Sequence, residues 1–140
     1  MKMLKSSIMM MLFITSLFSC KAQSSENQIA ANAMTENIQV YYFHNTKRCV
    51  TCNAVETETK VALNMFYNKD LEAGTMDFMS LNLEEDAGKN MALSLHVSGQ
   101  TLLIVKGENQ VNLTNEGFMN ARTNPTKFHE ILKTQIDKLL

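Results

Sequence analysis

The sequence predicts one three-layer α/β domain, with a central mixed sheet of about four strands flanked by helices. Three observations carry this prediction. Segments of strand and helix character follow one another from residue 37 in the order β, α, β, α, β, β, α. The first helix opens on Cys49-Val50-Thr51-Cys52, directly behind a strand. A chain of 140 residues, 45% of them hydrophobic, holds one core of this size and hardly two.

Ile38 to Phe43 is β-branched and aromatic, the composition of a buried strand. Asn45 to Arg48 is a polar turn. A helix is expected from near Cys49 towards Tyr67, with Val55, Ala62, Met65 and Phe66 on one side and Glu56, Glu58 and Lys60 facing water. Asn68 to Gly74 should end it. Thr75 to Leu83 alternates as a second strand, with Met79, Leu81 and Leu83 on one face and Phe78 on the other. The acids Glu84, Glu85 and Asp86 suit a helix N-terminus better than a cation site, and a short helix over Lys89–His96 should follow. Ser98 and Gly99 lead into a strand over Thr101–Val105. Gly107-Glu108-Asn109 turns it back into a strand over Gln110–Leu113. Asn124-Pro125-Thr126 has the proline and the Thr cap of a helix start, followed by Phe128, Ile131, Leu132, Ile136 and Leu139 at helical spacing. Met65, Met76, Met79 and Met91 read as core fillers rather than copper ligands, and His129 as a solvent-facing residue.

The N-terminal segment reads as an address. Lys2 and Lys5 precede an apolar run from Ile8 to Phe18, broken only by Thr15 and Ser16. That run is short of the about 20 residues that span a bilayer, and suits a signal h-region. It ends in Leu17-Phe18-Ser19-Cys20, which resembles the lipobox of bacterial lipoproteins; the resemblance implies lipidation of Cys20 and removal of residues 1–19. An ordinary secretory signal is the alternative. Residues 20–36, rich in Ser, Asn, Gln and Ala, read as the lipidated cysteine and a flexible tether, and residues 37–140 as the folded domain. Loss of Lys2 and Lys5 would take the formal charge from −1 to −3. With no basic excess, nucleic acid is not an expected partner. Lys21 is not the Asp that retains some lipoproteins at the inner membrane, which favours a lipid-anchored, periplasm-facing protein of the bacterial cell envelope at the outer membrane.

Cys49 and Cys52 are the candidate catalytic pair. One helical turn separates them, and the first falls where unpaired N–H groups and the helix dipole stabilise a thiolate. Lys47, Arg48 and His44 are the candidates for tuning its acidity, although His44 reads equally as a hydrogen-bonded turn residue. Cys49 would attack a disulfide and Cys52 would resolve the product. A CxxC can also be half of a zinc site, but no second CxxC or paired His completes it. A structural disulfide closing so small a loop would stabilise little. No metal or other cofactor is assigned.

A strand, a CxxC at the start of a helix and a βαβ unit together make a thioredoxin-like signature. Val40-Tyr41-Tyr42-Phe43-His44 with Arg48-Cys49-Val50-Thr51-Cys52 resembles the opening of the ArsF-type family of bacterial envelopes, named after a subunit of nitrophenyl-compound nitroreductase. The stretch from Leu81 to Glu108 is similar to the second half of thioredoxins. The resemblance spans Ile38–Leu140. It implies a thioredoxin-like fold, a redox-active dithiol, and a disulfide-containing protein or a membrane thiol-relay or permease-like protein as partner. Three departures from thioredoxins stand out. Arg48 and Val50-Thr51 replace the Trp and the Gly-Pro of their active site. The first strand carries no acid. No proline precedes the third strand, where Gly99, Gln100 and Thr101 form the candidate substrate loop with an expected trans backbone. The expectation is a thiol–disulfide oxidoreductase or electron carrier serving a dedicated partner. The alternative is a thiol-based module for a soft metal or metalloid, such as arsenic or copper.

Overall fold

The computed structural model describes residues 36–140. The expected signal segment (residues 1–19), Cys20 and all of the expected tether (residues 20–36) except Glu36 lie outside the described residues. The elements are β1 (Ile38–His44), α1 (Val50–Ala73), β2 (Met76–Asn82), α2 (Asp86–Ser94), β3 (Thr101–Lys106), β4 (Asn109–Asn112), α3 (Thr114–Asn120) and α4 (Pro125–Asp137). The sheet order is β2-β1-β3-β4, with β1 parallel to β2 and both β1–β3 and β3–β4 antiparallel. A βαβ unit joined through α2 to a β-hairpin and two closing helices, with the first strand in the sheet's interior, is the thioredoxin-like fold.

The central position of β1 explains its apolar run, interrupted only by the buried Gln39 between Ile38 and Phe43, because a strand covered on both faces has no polar side to show. Val40 and Tyr42 join Leu102 and Ile104 on one face, against Val55, Ala62 and Leu63 of α1 and Phe128, Leu132 and Ile136 of α4. Tyr41 and Phe43 join Leu103 and Val105 on the other, against Met91 and Ala92 of α2. The expected division of β2 also holds: Met79 and Leu81 pack with the α2 side, and Phe78 with the α1 side.

Several boundaries and faces differ from expectation. Helix α1 runs past Tyr67 to Ala73, since Lys69 to Ala73 are adequate helix formers. The expected break survives as a kink at Tyr67 (φ −131°, ψ 26°), whose hydroxyl donates to Asp137 Oδ1 on α4 at 2.7 Å. Met65 is 60% exposed; the buried positions Val55, Thr59, Ala62 and Leu63 centre about 100° around the helix from it. Met76 and Met91 are core residues as expected. Glu56 does not face water freely but is ion-paired with Arg48 and Lys60. His129 is not solvent-facing: its Nε2 lies 2.8 Å from Glu58 Oε2, tying α4 to α1.

Helix α2 starts earlier than expected, at Asp86, and includes Gly88. A Cβ at Gly88 would stand 2.0 Å from the Asn82 carbonyl oxygen, so the glycine lets the helix lie against the end of β2. The β3–β4 loop is Gly107-Glu108 alone, because Asn109 already pairs with Lys106. Helix α3 was not expected at all. Its Asn and Gly content is poor for a helix, but Asn112 Oδ1 accepts from both the backbone N–H and the hydroxyl of Thr114, and Gly117 lies close to Val55 and Phe128. The cap of α4 is Asn124, whose Oδ1 accepts from Lys127 N, rather than Thr126.

Candidate functional site

Strand β1 ends at His44 and hands the chain to a short loop that leads into α1. That loop is held from β2's far end. Glu84 accepts from the Thr46 N–H at 3.0 Å and from its hydroxyl at 2.9 Å, while Asn82 Nδ2 donates to Thr46 Oγ1. Of the acidic run, Glu84 therefore anchors the approach to the cysteines, and Asp86 occupies the first turn of α2.

Cys49 is the N-cap of α1 (φ −78°, ψ 164°), and its Sγ accepts from the Cys52 N–H at 3.0 Å. A sulfur thus takes the place that a Ser or Asp oxygen takes at an ordinary N-cap. The two cysteines are joined as a disulfide, with Cα atoms 5.0 Å apart. They are unequal in access: Cys49 and Val50 are exposed, whereas Cys52 is 3% exposed. On reduction, a thiolate at Cys49 would keep a backbone N–H donor and the positive end of the helix dipole. Burial disfavours the same charge on Cys52.

The structure disposes the other candidates differently. Of Gly99, Gln100 and Thr101, it is Gln100 that meets the cysteine pair: its Oε1 lies 3.4 Å from Cys52 Sγ. Gly99 sits in the left-handed region (φ 83°), and Thr101 Oγ1 donates to its carbonyl at 3.2 Å. The peptide bonds of the described residues, this loop included, are trans. Arg48 turns away to Glu56 and lies over the Tyr42 ring, 5.4 Å from its centroid. Its charge is therefore largely matched by Glu56. Lys47 is exposed. His44 donates from Nδ1 to the Asn45 carbonyl at 3.0 Å, the arrangement of a turn residue.

Sequence reasoning missed Tyr42 as part of the site. Its hydroxyl donates to the Cys52 carbonyl at 3.0 Å in a buried position, bracing the first turn of α1 against the sheet. Burial pushes the Tyr42 phenol up, which keeps it a donor, although Arg48 opposes the shift. The strand alternation, which aims residue 42 at the same face as Val40, was the available signal. Its neighbour Tyr41 makes a contrast. The Tyr41 hydroxyl is buried without a hydrogen-bond partner, and burial, reinforced by Asp77, pushes its pKa up to about 12. Tyr42→Phe is expected to destabilise the domain by about 1 kcal/mol, and Tyr41→Phe to leave it unchanged or stabilise it by up to about 1 kcal/mol. Urea unfolding of both variants checks this; midpoints moving the same way would refute it.

Glu56 adds a pH dependence. Burial alone would raise its carboxyl, but the ion pairs with Lys60 and Arg48 outweigh that and hold it below the usual range. Such a group stabilises the fold fully above its unfolded pKa, about 4.3, and loses that contribution as pH falls through the lower folded value. The stability advantage of the wild type over Glu56→Gln should be greatest at neutral pH and shrink below about pH 4. Urea midpoints measured against pH would test it, and an advantage that grows on acidification would contradict the ion-pair assignment.

Among the described residues no group of three or more His, Cys, Asp or Glu side chains is placed to hold a metal ion, and no helix is long and apolar enough to cross a membrane.

An α/β domain of thioredoxin-like topology, with a CxxC disulfide capping its first helix, defines the class to which this site belongs. No family model matches the chain, and no curated protein matches it. Among solved structures it is similar to thioredoxin O2 from Arabidopsis thaliana in the oxidised state, with 19% identity and a TM-score of 0.46 over 61% of this chain and 69% of that one.

Proposed function

We propose that this protein is a thiol–disulfide oxidoreductase or electron carrier, with Cys49 as nucleophile and Cys52 as resolving thiol. The observation that carries the reading is the asymmetry of one disulfide: an exposed, helix-capping sulfur bonded to a buried one. A disulfide that served stability alone would close a longer loop and would need no exposed member. The Cys49 thiolate attacks a disulfide of the partner and displaces one of its sulfurs. Cys52 then attacks Cys49 and releases the second, so two electrons pass to the partner.

Resemblance to the nitrophenyl-compound nitroreductase subunit family extends the proposal to the cell envelope. There the partner would be a disulfide-containing protein or a membrane thiol-relay or permease-like protein. Residues 1–19 would be removed and Cys20 lipidated. Labelling with a radioactive fatty acid should mark the wild type and not Cys20→Ala; equal labelling of both would refute the anchor.

Equilibration of the purified domain in glutathione redox buffers, followed by acid quench and mass spectrometry, tests the central reading. Cys49–Cys52 should interconvert reversibly between dithiol and disulfide in a single two-electron step. Stoichiometric retention of arsenite or copper(I), without disulfide exchange, would instead establish the soft-metal module.

A further inference from the structure

We propose that Gln100 is a positioning residue for the resolving thiol: in the reduced protein its side-chain oxygen accepts the Cys52 S–H and so biases the pair toward the dithiol. The inference rests on the redox reading above. Gln100 Oε1 stands 3.4 Å from Cys52 Sγ, within reach of a hydrogen bond to sulfur. In the disulfide that sulfur carries no proton, so the approach is only a contact. Reduction adds the proton and turns the contact into a bond. The amide oxygen therefore has more to offer the reduced state than the oxidised one.

The neighbouring polar groups are committed elsewhere. Tyr42 donates to the Cys52 carbonyl and not to its sulfur. Glu56 is taken by Arg48 and Lys60, and His44 by the Asn45 carbonyl. Strand β1 presents Tyr41, Tyr42 and Phe43 to the two faces of the sheet, with no carboxylate among them. Gln100 is itself constrained by the left-handed Gly99 before it and by Thr101, which is 5% exposed and paired with Phe43 across β1 and β3. The loop thus holds the amide beside a sulfur that is 3% exposed, where water competes poorly for the S–H.

The reduced pair is a Cys49 thiolate and a Cys52 thiol held by Gln100. Cys49 attacks the partner disulfide; one sulfur–sulfur bond forms, the partner's breaks, and one partner thiolate leaves. Cys52 gives up its proton to a departing partner sulfur and attacks Cys49. The intramolecular disulfide closes, and the partner leaves as one thiol and one thiolate carrying both electrons. Holding the Cys52 proton stabilises the reactant side of this sequence, which makes the protein disulfide easier to reduce.

The test compares wild type, Gln100→Ala and Gln100→Glu in glutathione redox buffers at neutral pH. Gln100→Ala removes the acceptor and should shift the equilibrium roughly fivefold toward the disulfide, equivalent to a potential about 20 mV more negative. Gln100→Glu substitutes an ionised acceptor, which takes the S–H more strongly and repels a Cys52 thiolate, so it should shift the equilibrium in the opposite direction by roughly threefold or more. A residue that only packs the loop would move both variants the same way, and that result would overturn the proposal. So would two variants indistinguishable from a wild type that exchanges normally. A wild type that does not exchange with glutathione at all would overturn the redox reading itself, and this inference with it.

Discussion

Cys49→Ser is expected to react with a small aromatic disulfide reagent at neutral pH roughly 100-fold more slowly than the reduced wild type. Its remaining thiol, Cys52, is buried and carries no N-cap donor of its own. Cys52→Ser should react once at full speed and then accumulate as a mixed disulfide, because no second thiol lies behind it. The physical basis is the position of Cys49 Sγ as the cap of α1, where it accepts the Cys52 N–H. Alkylation of Cys49 against pH should reach half its maximal rate below the about 8.5 of an ordinary cysteine. Replacing Lys47 and Arg48 together by Ala should raise that midpoint by no more than about one pH unit. Arg48 is already matched by Glu56, and Lys47 is exposed to screening. If Cys52 proves the faster-alkylating thiol, the assignment of roles is wrong.

Phe128→Ala is expected to cost about 3–5 kcal/mol, a large part of the about 5–15 kcal/mol that a domain of this kind has. Phe128 is fully buried in the core between the sheet, α1 and α4, and its ring edge lies 3.5 Å from where a Cβ on Gly117 would stand. Its removal leaves a cavity bounded by three elements that cannot all collapse into it. Leu132 and Ile136, one and two turns further along α4, would still hold the helix to the sheet. The variant should therefore fold at low temperature with a much lower urea midpoint and an unchanged strand signal in circular dichroism. A loss below about 1.5 kcal/mol would mean that the α4 seam contributes less than its burial indicates.

Much of the fold was legible because its signals are local. The apolar run Ile38–Phe43, the alternation of residues 76–82 and the spacing of Phe128, Leu132 and Ile136 each state a period that one kind of element satisfies. The elements misread were those where local preference and packing disagree. Helix α3 is built from residues that favour turns, and it forms where Asn112 holds Thr114 at its start and Gly117 fits against Val55. Helix α2 contains a glycine that looks like a break, but the end of β2 leaves no room for a side chain there.

The sequence by itself determined the class of fold, the two cysteines, and which of them stands at the head of the helix, since a CxxC behind a strand leaves little choice of geometry. Only the tertiary structure decided the surroundings of the pair. Gln100 is 48 residues beyond Cys52, yet its amide meets the sulfur. Glu84 is 38 residues beyond Thr46, yet it anchors the loop that leads into the cysteines. Arg48, adjacent to Cys49, spends its charge on Glu56. Helix and strand periods say which way a side chain points along its own element. Which partner it finds depends on how the sheet brings the ends of β1, β2 and β3 together, and contacts across such distances leave no periodic trace in the chain.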